Sequence, residues 1–253
     1  MNDKEFGQRL TDRMTKSERD QSFPDSVPRD AATMMLIDRT GAEPTVLLGR
    51  RHANHKFMPG KFVFPGGRIE VGDATMGAAS ELAAAAADKV ALRPRDAQVP
   101  PPRAFPLAAI RETFEETGLM LGAKGNSAGN AAAVPPNPDW EAFAKAGVLP
   151  DLANIHFIAR AITPPRRPKR FDTRFFTADA QMVAHRVDGV VSPDSELVEL
   201  VWIPIKDAKT LDLPTITATI LEELEARVKA GMGHDLPVPF YFMDNQQFFR
   251  DLL

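Results

Sequence analysis

The residues with the clearest chemical potential lie in Leu107–Gly118, LAAIRETFEETG. Placed on a helix at about 100° per residue with Glu112 at zero, Glu115 falls at about −60° and Glu116 at about +40°. Three carboxylates therefore share one arc. Leu107, Ile110, Phe114 and Thr117 fall on the opposite side and give the helix an apolar back. Ala108 and Ala109 lie on the acidic front and are expected to keep it open. Carboxylates this close repel one another unless something positive sits among them. A hard divalent cation, Mg²⁺ or Mn²⁺, suits such a set, because it takes oxygen ligands and keeps waters and phosphate oxygens in its shell. Taken alone, the helix also reads as a plain solvated acidic face.

The chain ahead of it adds a second feature. Val63-Phe64-Pro65-Gly66-Gly67-Arg68-Ile69-Glu70-Val71-Gly72-Asp73 reads as a strand, a double-glycine turn and an acidic loop. Together with Arg111-Glu112-Thr113-Phe114-Glu115-Glu116-Thr117-Gly118-Leu119 it resembles the signature of the Nudix hydrolases. That signature runs Gly, five residues, Glu, seven residues, then Arg-Glu-U-x-Glu-Glu-x-Gly-U, with U apolar. The match departs in three places. Residues 74–110 stand where the signature has seven, Asp73 stands where it has Glu, and Thr113 occupies an apolar position. An insertion at this point is similar to the branch that includes the coenzyme A diphosphatases. Leu47-Leu48-Gly49-Arg50-Arg51, the Phe-Pro-Gly-Gly turn and Arg170-Phe171-Asp172-Thr173-Arg174-Phe175-Phe176 look like that branch as well. The resemblance covers about residues 31–225.

The resemblance implies an α/β fold of mixed α+β character. It is the Nudix α/β/α sandwich, a mixed sheet between helices, with a helical insertion inside the signature. It implies hydrolysis of a phosphoanhydride in a nucleoside diphosphate linked to another group, with coenzyme A or acyl-coenzyme A as the branch's substrate. ADP-ribose, dinucleotides and nucleotide sugars are alternatives with the same chemistry, and a nucleotide-binding module without hydrolysis is the alternative of another class. Mg²⁺ or Mn²⁺ held by Glu112, Glu115 and Glu116 would neutralise phosphate charge and activate water. Arg111 would pair with a nearby carboxylate and orient it, or form an ordinary i,i+4 pair with Glu115. Gly66 and Gly67 would bring backbone close to the metal site and substrate. The general base is Glu112 or Glu116 within the helix, or Glu196 in the loop Ser192–Glu196, which could instead be a metal ligand.

Substrate phosphates need cations. Arg166-Arg167-Pro168-Lys169-Arg170, followed by Arg174, is a local basic patch, and Arg50 and Arg51 leave a strand near the signature turn. Arg50, Arg51, Arg170 and Arg174 are therefore the substrate-binding candidates, with solvated loop residues as the plain reading. The five histidines show no ligand spacing.

These residues need elements to position them. Residues 1–30 read as a flexible, loosely docked arm, with one helix around Phe6–Met14. A single domain is expected over 31–253. Strands are expected at Ala32–Ile37, Thr45–Leu48, Lys61–Phe64, Ile155–Ile162, Arg174–Thr177 and Leu197–Ile203. Helices are expected at Thr75–Ala91, Leu107–Thr117 and Thr215–Val228, and a short one capped by Asn137 and ending near Gly147. Five prolines mark 93–106 as loop, the insertion spans about 74–106, and 122–136 reads as a mobile loop. Val238–Phe242 and Phe248–Leu253 are too apolar to hang free.

Composition narrows the class. The chain has 253 residues, with 31 Lys and Arg against 34 Asp and Glu, a net charge of −3. That balance argues against nucleic-acid binding. Zero cysteines exclude disulfides, thiolate-ligated zinc and thiol catalysis. No apolar run approaches membrane-spanning length and no secretory signal opens the chain. The expectation is a cytoplasmic protein acting on a small-molecule nucleoside-diphosphate substrate, with no membrane partner; a homodimer is left open.

Overall fold

The first core strand explains the architecture. In β1 (Arg29–Asp38) the segment Ala32–Ile37 is apolar almost throughout, and both of its faces are covered. Ala32, Met34 and Leu36 point into one hydrophobic cluster, and Met35 and Ile37 into another. The structure is a computed structural model that describes residues 2–17, 19–55, 58–95, 99–124 and 135–253.

In chain order the elements are α1 (Asp3–Lys16), β1, β2 (Thr45–Arg51), β3 (Phe62–Val63), β4 (Gly66–Arg68), α2 (Ala84–Ala91) and α3 (Ala104–Thr117). Next come β5 (Leu119–Leu121), β6 (Ala123–Lys124), α4 (Glu141–Ala146), β7 (Val148–Leu149), β8 (His156–Ile162) and β9 (Phe171–Asp179). The chain closes with β10 (Val183–Arg186), β11 (Leu197–Pro204), α5 (Thr215–Lys229), β12 (Pro239–Asp244) and β13 (Gln247–Leu252).

Among the described residues the main sheet runs β11-β2-β1-β9-β8-β12-β13, with β3 on β2 and β4 on β1. The pairs β1–β9 and β8–β12 are parallel and the others antiparallel, so the sheet is mixed. Residues of α2 and α3 join the cluster on one face, and residues of α1 and α5 join the cluster on the other. This is the expected α/β/α sandwich. No helix among the described residues is long and apolar enough to cross a membrane.

Several local expectations change. The helix expected near Phe6–Met14 is α1, Asp3–Lys16, and it docks on the body of the fold rather than lying loose. Asn2 and Glu5 form a capping box, and Leu10 and Met14 are buried in the core. Arg9 and Arg13 reach Glu222 on α5, and Arg250 reaches Asp3. Within Thr75–Ala91 only α2 is α-helical. Ala79 and Ser80 are held instead by Pro150 and Asp151, and this tertiary pairing overrides alanine's helix propensity. Helix α3 starts at Ala104, inside the expected loop, with Pro106 in its first turn, where a missing N–H costs nothing. Ala108 and Ala109 are fully buried, so they do not open the front of the helix. Asn137 supplies no side-chain cap to the short 3₁₀ turn that begins at Pro138. Of the expected mobile loop 122–136, residues 125–134 lie outside the described residues.

The insertion is folded back at its base. Arg103 donates from Nη1 to the Ala74 carbonyl at 2.8 Å and clasps Glu81 with Nε and Nη2 at 3.1 and 3.0 Å. This contact brings the two ends of the insertion together, leaving Asp73 beside α3.

Candidate active site

Helix α3 builds the site because its polar residues fall on a face that the sheet leaves partly open. It ends at Gly118, which adopts φ 77°. A Cβ there would collide with the Val187 carbonyl, so the loop leading toward β11 closes tightly over the helix end. Thr113, at the signature's apolar position, is fully buried, and its hydroxyl donates to the Ala109 carbonyl at 2.6 Å. The hydroxyl is thereby satisfied within the helix.

Arg111 is buried and organises the acidic front. Nε and Nη2 donate to the two oxygens of Asp73 at 2.9 and 3.1 Å. Nη2 also donates to the Arg68 carbonyl at 2.8 Å, while Nη1 reaches Glu112 at 3.0 Å and Glu115 at 3.1 Å. Burial disfavours the guanidinium charge, but Asp73, Glu112 and Glu115 outweigh it and hold the pKa above the ordinary value.

Gly66 and Gly67, expected as a turn, open strand β4 instead and lie directly against the carboxylates. Gly66 N–H donates to Glu116 Oε2 at 3.1 Å, and a Cβ on Gly67 would overlap the Glu112 carboxyl. The pairing of β4 with β1, Gly66 opposite Thr33 and Gly67 opposite Ala32, sets this approach. Burial, with added repulsion from Glu115 and Glu196, pushes Glu112 up to about 7 despite Arg111. Burial and the charges of Glu196 and Glu112 hold Glu116 well above the ordinary carboxylate range. Glu115 is also raised, by burial first, with Arg111 opposing and Asp139 and Asp73 adding repulsion.

The structure brings most of the sequence-derived residues together. Glu196 faces Glu112 and Glu116 closely enough to repel both. Arg51 pairs with Glu196 through Nη2, and its charge also favours ionised Glu116. The β2–β11 register, Arg51 opposite Leu197, sets this meeting. Glu115, the most exposed of the three helix carboxylates by its contacts, leans over Arg111. Arg50 projects to the other face of β2 and pairs with Glu199 at 2.7 Å.

Two residues of the basic patch are engaged inside the fold. Arg174 is buried, ion-paired to Asp30 at 2.7 Å, and stacked over Phe105 at 4.0 Å. Arg170 is largely covered, paired to Asp25 at 2.6 Å and donating to the Ser26 and Thr163 carbonyls. Both guanidinium groups are met by acceptors within the fold. Two further residues belong to this site. Asp73, whose role the sequence leaves open, is fully buried as the partner of Arg111. His55 accepts from Arg51 Nη2 at 3.2 Å, a placement that ligand spacing could not reveal because it follows from the turn after β2.

The oxygen donors fit a hard divalent cation. Crowded carboxylates with raised pKa values are what such an ion would relieve, and the Gly67 surface leaves Glu112 room at β4. Among the described residues no three Asp, Glu or His side chains form a metal-holding group by themselves.

Comparison with known proteins places these features. No protein-family model matches the chain. It is 28% identical over 192 residues to a Caenorhabditis elegans protein carrying the name nudix hydrolase 7, a match over 71% of this chain and 52% of that protein. The chain thus spans about half the length of this curated relative. The crystal structure of a NUDIX hydrolase from Alicyclobacillus acidocaldarius matches with a TM-score of 0.58 and 31% identity, covering 79% of this chain and 92% of that one.

Proposed function

Because the chain belongs to the Nudix hydrolase family, we propose that it hydrolyses a phosphoanhydride bond in a nucleoside diphosphate linked to another group, using Mg²⁺ or Mn²⁺. The observation that carries this reading is the meeting of Glu112, Glu116 and Glu196 beside Gly66 and Gly67. β2, β4, α3 and the loop before β11 bring these residues into one acidic cluster with Arg51 at its edge.

In this reading Glu112, Glu115 and Glu116 would hold the ion, which would supply neutralisation of the diphosphate charge. Arg111 positions Glu112 and Glu115 from below. Arg51 meets a substrate phosphate, for which a guanidinium is well shaped. The backbone at Gly66 and Gly67 keeps this side of the pocket clear. Glu196 takes the proton from the attacking water as the bridging P–O bond breaks, and the leaving phosphate departs with the electron pair. Glu196 is paired with Arg51 but is half-exposed on the loop before β11, whereas Glu112 and Glu116 are held on α3 by Arg111 and by Gly66 N–H.

The substrate we propose is coenzyme A or an acyl-coenzyme A, supported by the insertion after Asp73 and the Leu47–Arg51 and Arg170–Phe176 segments. The test is a product-resolved assay with Mg²⁺ and with Mn²⁺ on coenzyme A, an acyl-coenzyme A, ADP-ribose, NADH and a diadenosine polyphosphate. Cleavage of coenzyme A to 3′,5′-ADP and phosphopantetheine, lost in folded Glu116→Gln, is the expected result. Cleavage of another member keeps the chemistry and discards coenzyme A. Cleavage of none overturns the enzymatic reading in favour of a nucleotide-binding module.

A further inference from the structure

We propose that Arg51 is a latch on Glu196: the guanidinium holds the carboxylate until a substrate diphosphate competes for it, and the exchange frees Glu196. This rests on the reading of the pocket as a nucleoside-diphosphate site.

The geometry is built for exchange. Arg51 Nη2 is shared between the Glu196 carboxylate and His55 Nε2, the latter at 3.2 Å. His55 Nε2 is also 3.5 Å from Glu196 Oε1, so the three side chains form a closed triangle. The backbone fixes its corners. His52 N–H donates to the Glu196 carbonyl at 2.9 Å, and His55 N–H donates to the His52 carbonyl at 3.0 Å. Arg51 itself is mostly covered, while Glu196 is half-exposed. The arginine is the anchored partner and the carboxylate the movable one.

The energetics favour a swap rather than a permanent tie. A diphosphate offers Arg51 more charge and a bidentate face. His55 remains as an acceptor for Nη2 and keeps the guanidinium in the pocket once the carboxylate leaves.

The experiment is a binding cycle without turnover. α,β-Methylene-ADP with Mg²⁺ is titrated calorimetrically into wild type, Arg51→Met, Glu196→Gln and the double variant. The latch predicts that Glu196→Gln tightens binding about tenfold, because a competing charged acceptor is gone. In the Arg51→Met background the same change should alter affinity by less than about twofold. Equal tightening in both backgrounds overturns the latch, since the carboxylate would then simply repel the ligand. Unchanged or weaker binding in Glu196→Gln also overturns it. If wild type does not bind the probe, the nucleoside-diphosphate reading itself fails, and the latch with it. Should Arg51→Met fail to fold, Arg51→Gln replaces it in the cycle.

Discussion

Arg111 grips Asp73 across 38 positions of the chain, Nε to Oδ1 at 2.9 Å and Nη2 to Oδ2 at 3.1 Å. Both residues are buried, and Asp73 also accepts from Glu70 N–H at 2.8 Å. A 3₁₀ turn over Val71–Ala74 carries the aspartate to the guanidinium, so its shorter side chain still reaches. Removing Asp73 leaves two guanidinium N–H groups of the buried Arg111 unmet, with Glu112 and Glu115 as its remaining counter-charges. Asp73→Ala should lower stability by about 3–5 kcal/mol, and Asp73→Glu by less. The urea midpoint measures both, and equal midpoints for Asp73→Ala and wild type would sink the argument.

Gly67 has a different task. An alanine methyl there would occupy the space of the Glu112 carboxyl, which is the free end of a flexible side chain. Gly67→Ala should therefore displace Glu112 without unfolding the chain. We expect at least a hundredfold loss of turnover, of the order seen when one charge-stabilising group is lost, with a thermal midpoint close to wild type. Retained turnover would show that Glu112 does not need its present position.

The raised carboxylates make stability depend on pH. Glu112 holds its proton to about pH 7 in the folded chain but releases it near 4.5 when unfolded. The folded state thus binds more protons between those values. This contribution is present below pH 4.5 and is lost as pH rises through 7. It amounts to about 3 kcal/mol at most. In chelator the thermal midpoint should carry a falling component from pH 5 to 8, and Glu112→Gln should remove it. Mg²⁺ or Mn²⁺ should stabilise more at pH 8 than at pH 5, because its ligands must be deprotonated. A metal effect independent of pH would count against carboxylate ligation.

Asp172 joins three arginines beneath the sheet end. It accepts from Arg160 at 2.8 and 2.6 Å and from Arg95 at 3.0 Å, and it lies 3.5 Å from Arg174. Asp30 takes Arg174 and Arg95 from the other side. Arg160 in turn holds the carbonyls of Leu92 and Arg93, tying the insertion to β8. Asp172→Ala should cost about 3–5 kcal/mol and change turnover per folded molecule less than about twofold. Arg170→Ala should leave the apparent substrate affinity unchanged, since Asp25 and backbone carbonyls already occupy that side chain. A rise in KM would restore Arg170 as a substrate contact.

Local signals were the legible part of the fold. The alternation of Met34, Met35, Leu36 and Ile37 between two cores follows from a strand covered on both faces. The period of Ile216, Ile220, Leu224 and Val228 marks α5. The alanine run at 75–91 misled, because Ser80 and Ala79 bond to residues about 70 positions away. The N-terminal helix looked loose because its charged partners, Glu222 and Arg250, lie at the other end of the chain.

By itself the sequence determined the acidic helix and the pairing of arginine with carboxylates on one helix face. Those depend on residue spacing within one element, and helical geometry turns spacing into direction. Only the tertiary structure decided which charges remain available. Arg51 meets Glu196 through the register of β2 with β11, while Arg50, its neighbour, faces the other way. Arg174 is spent inside the fold on Asp30, and Asp73 reaches Arg111 because Arg103 closes the insertion. A charged side chain advertises its sign in the sequence, but its partner is chosen by chain segments that meet only on folding.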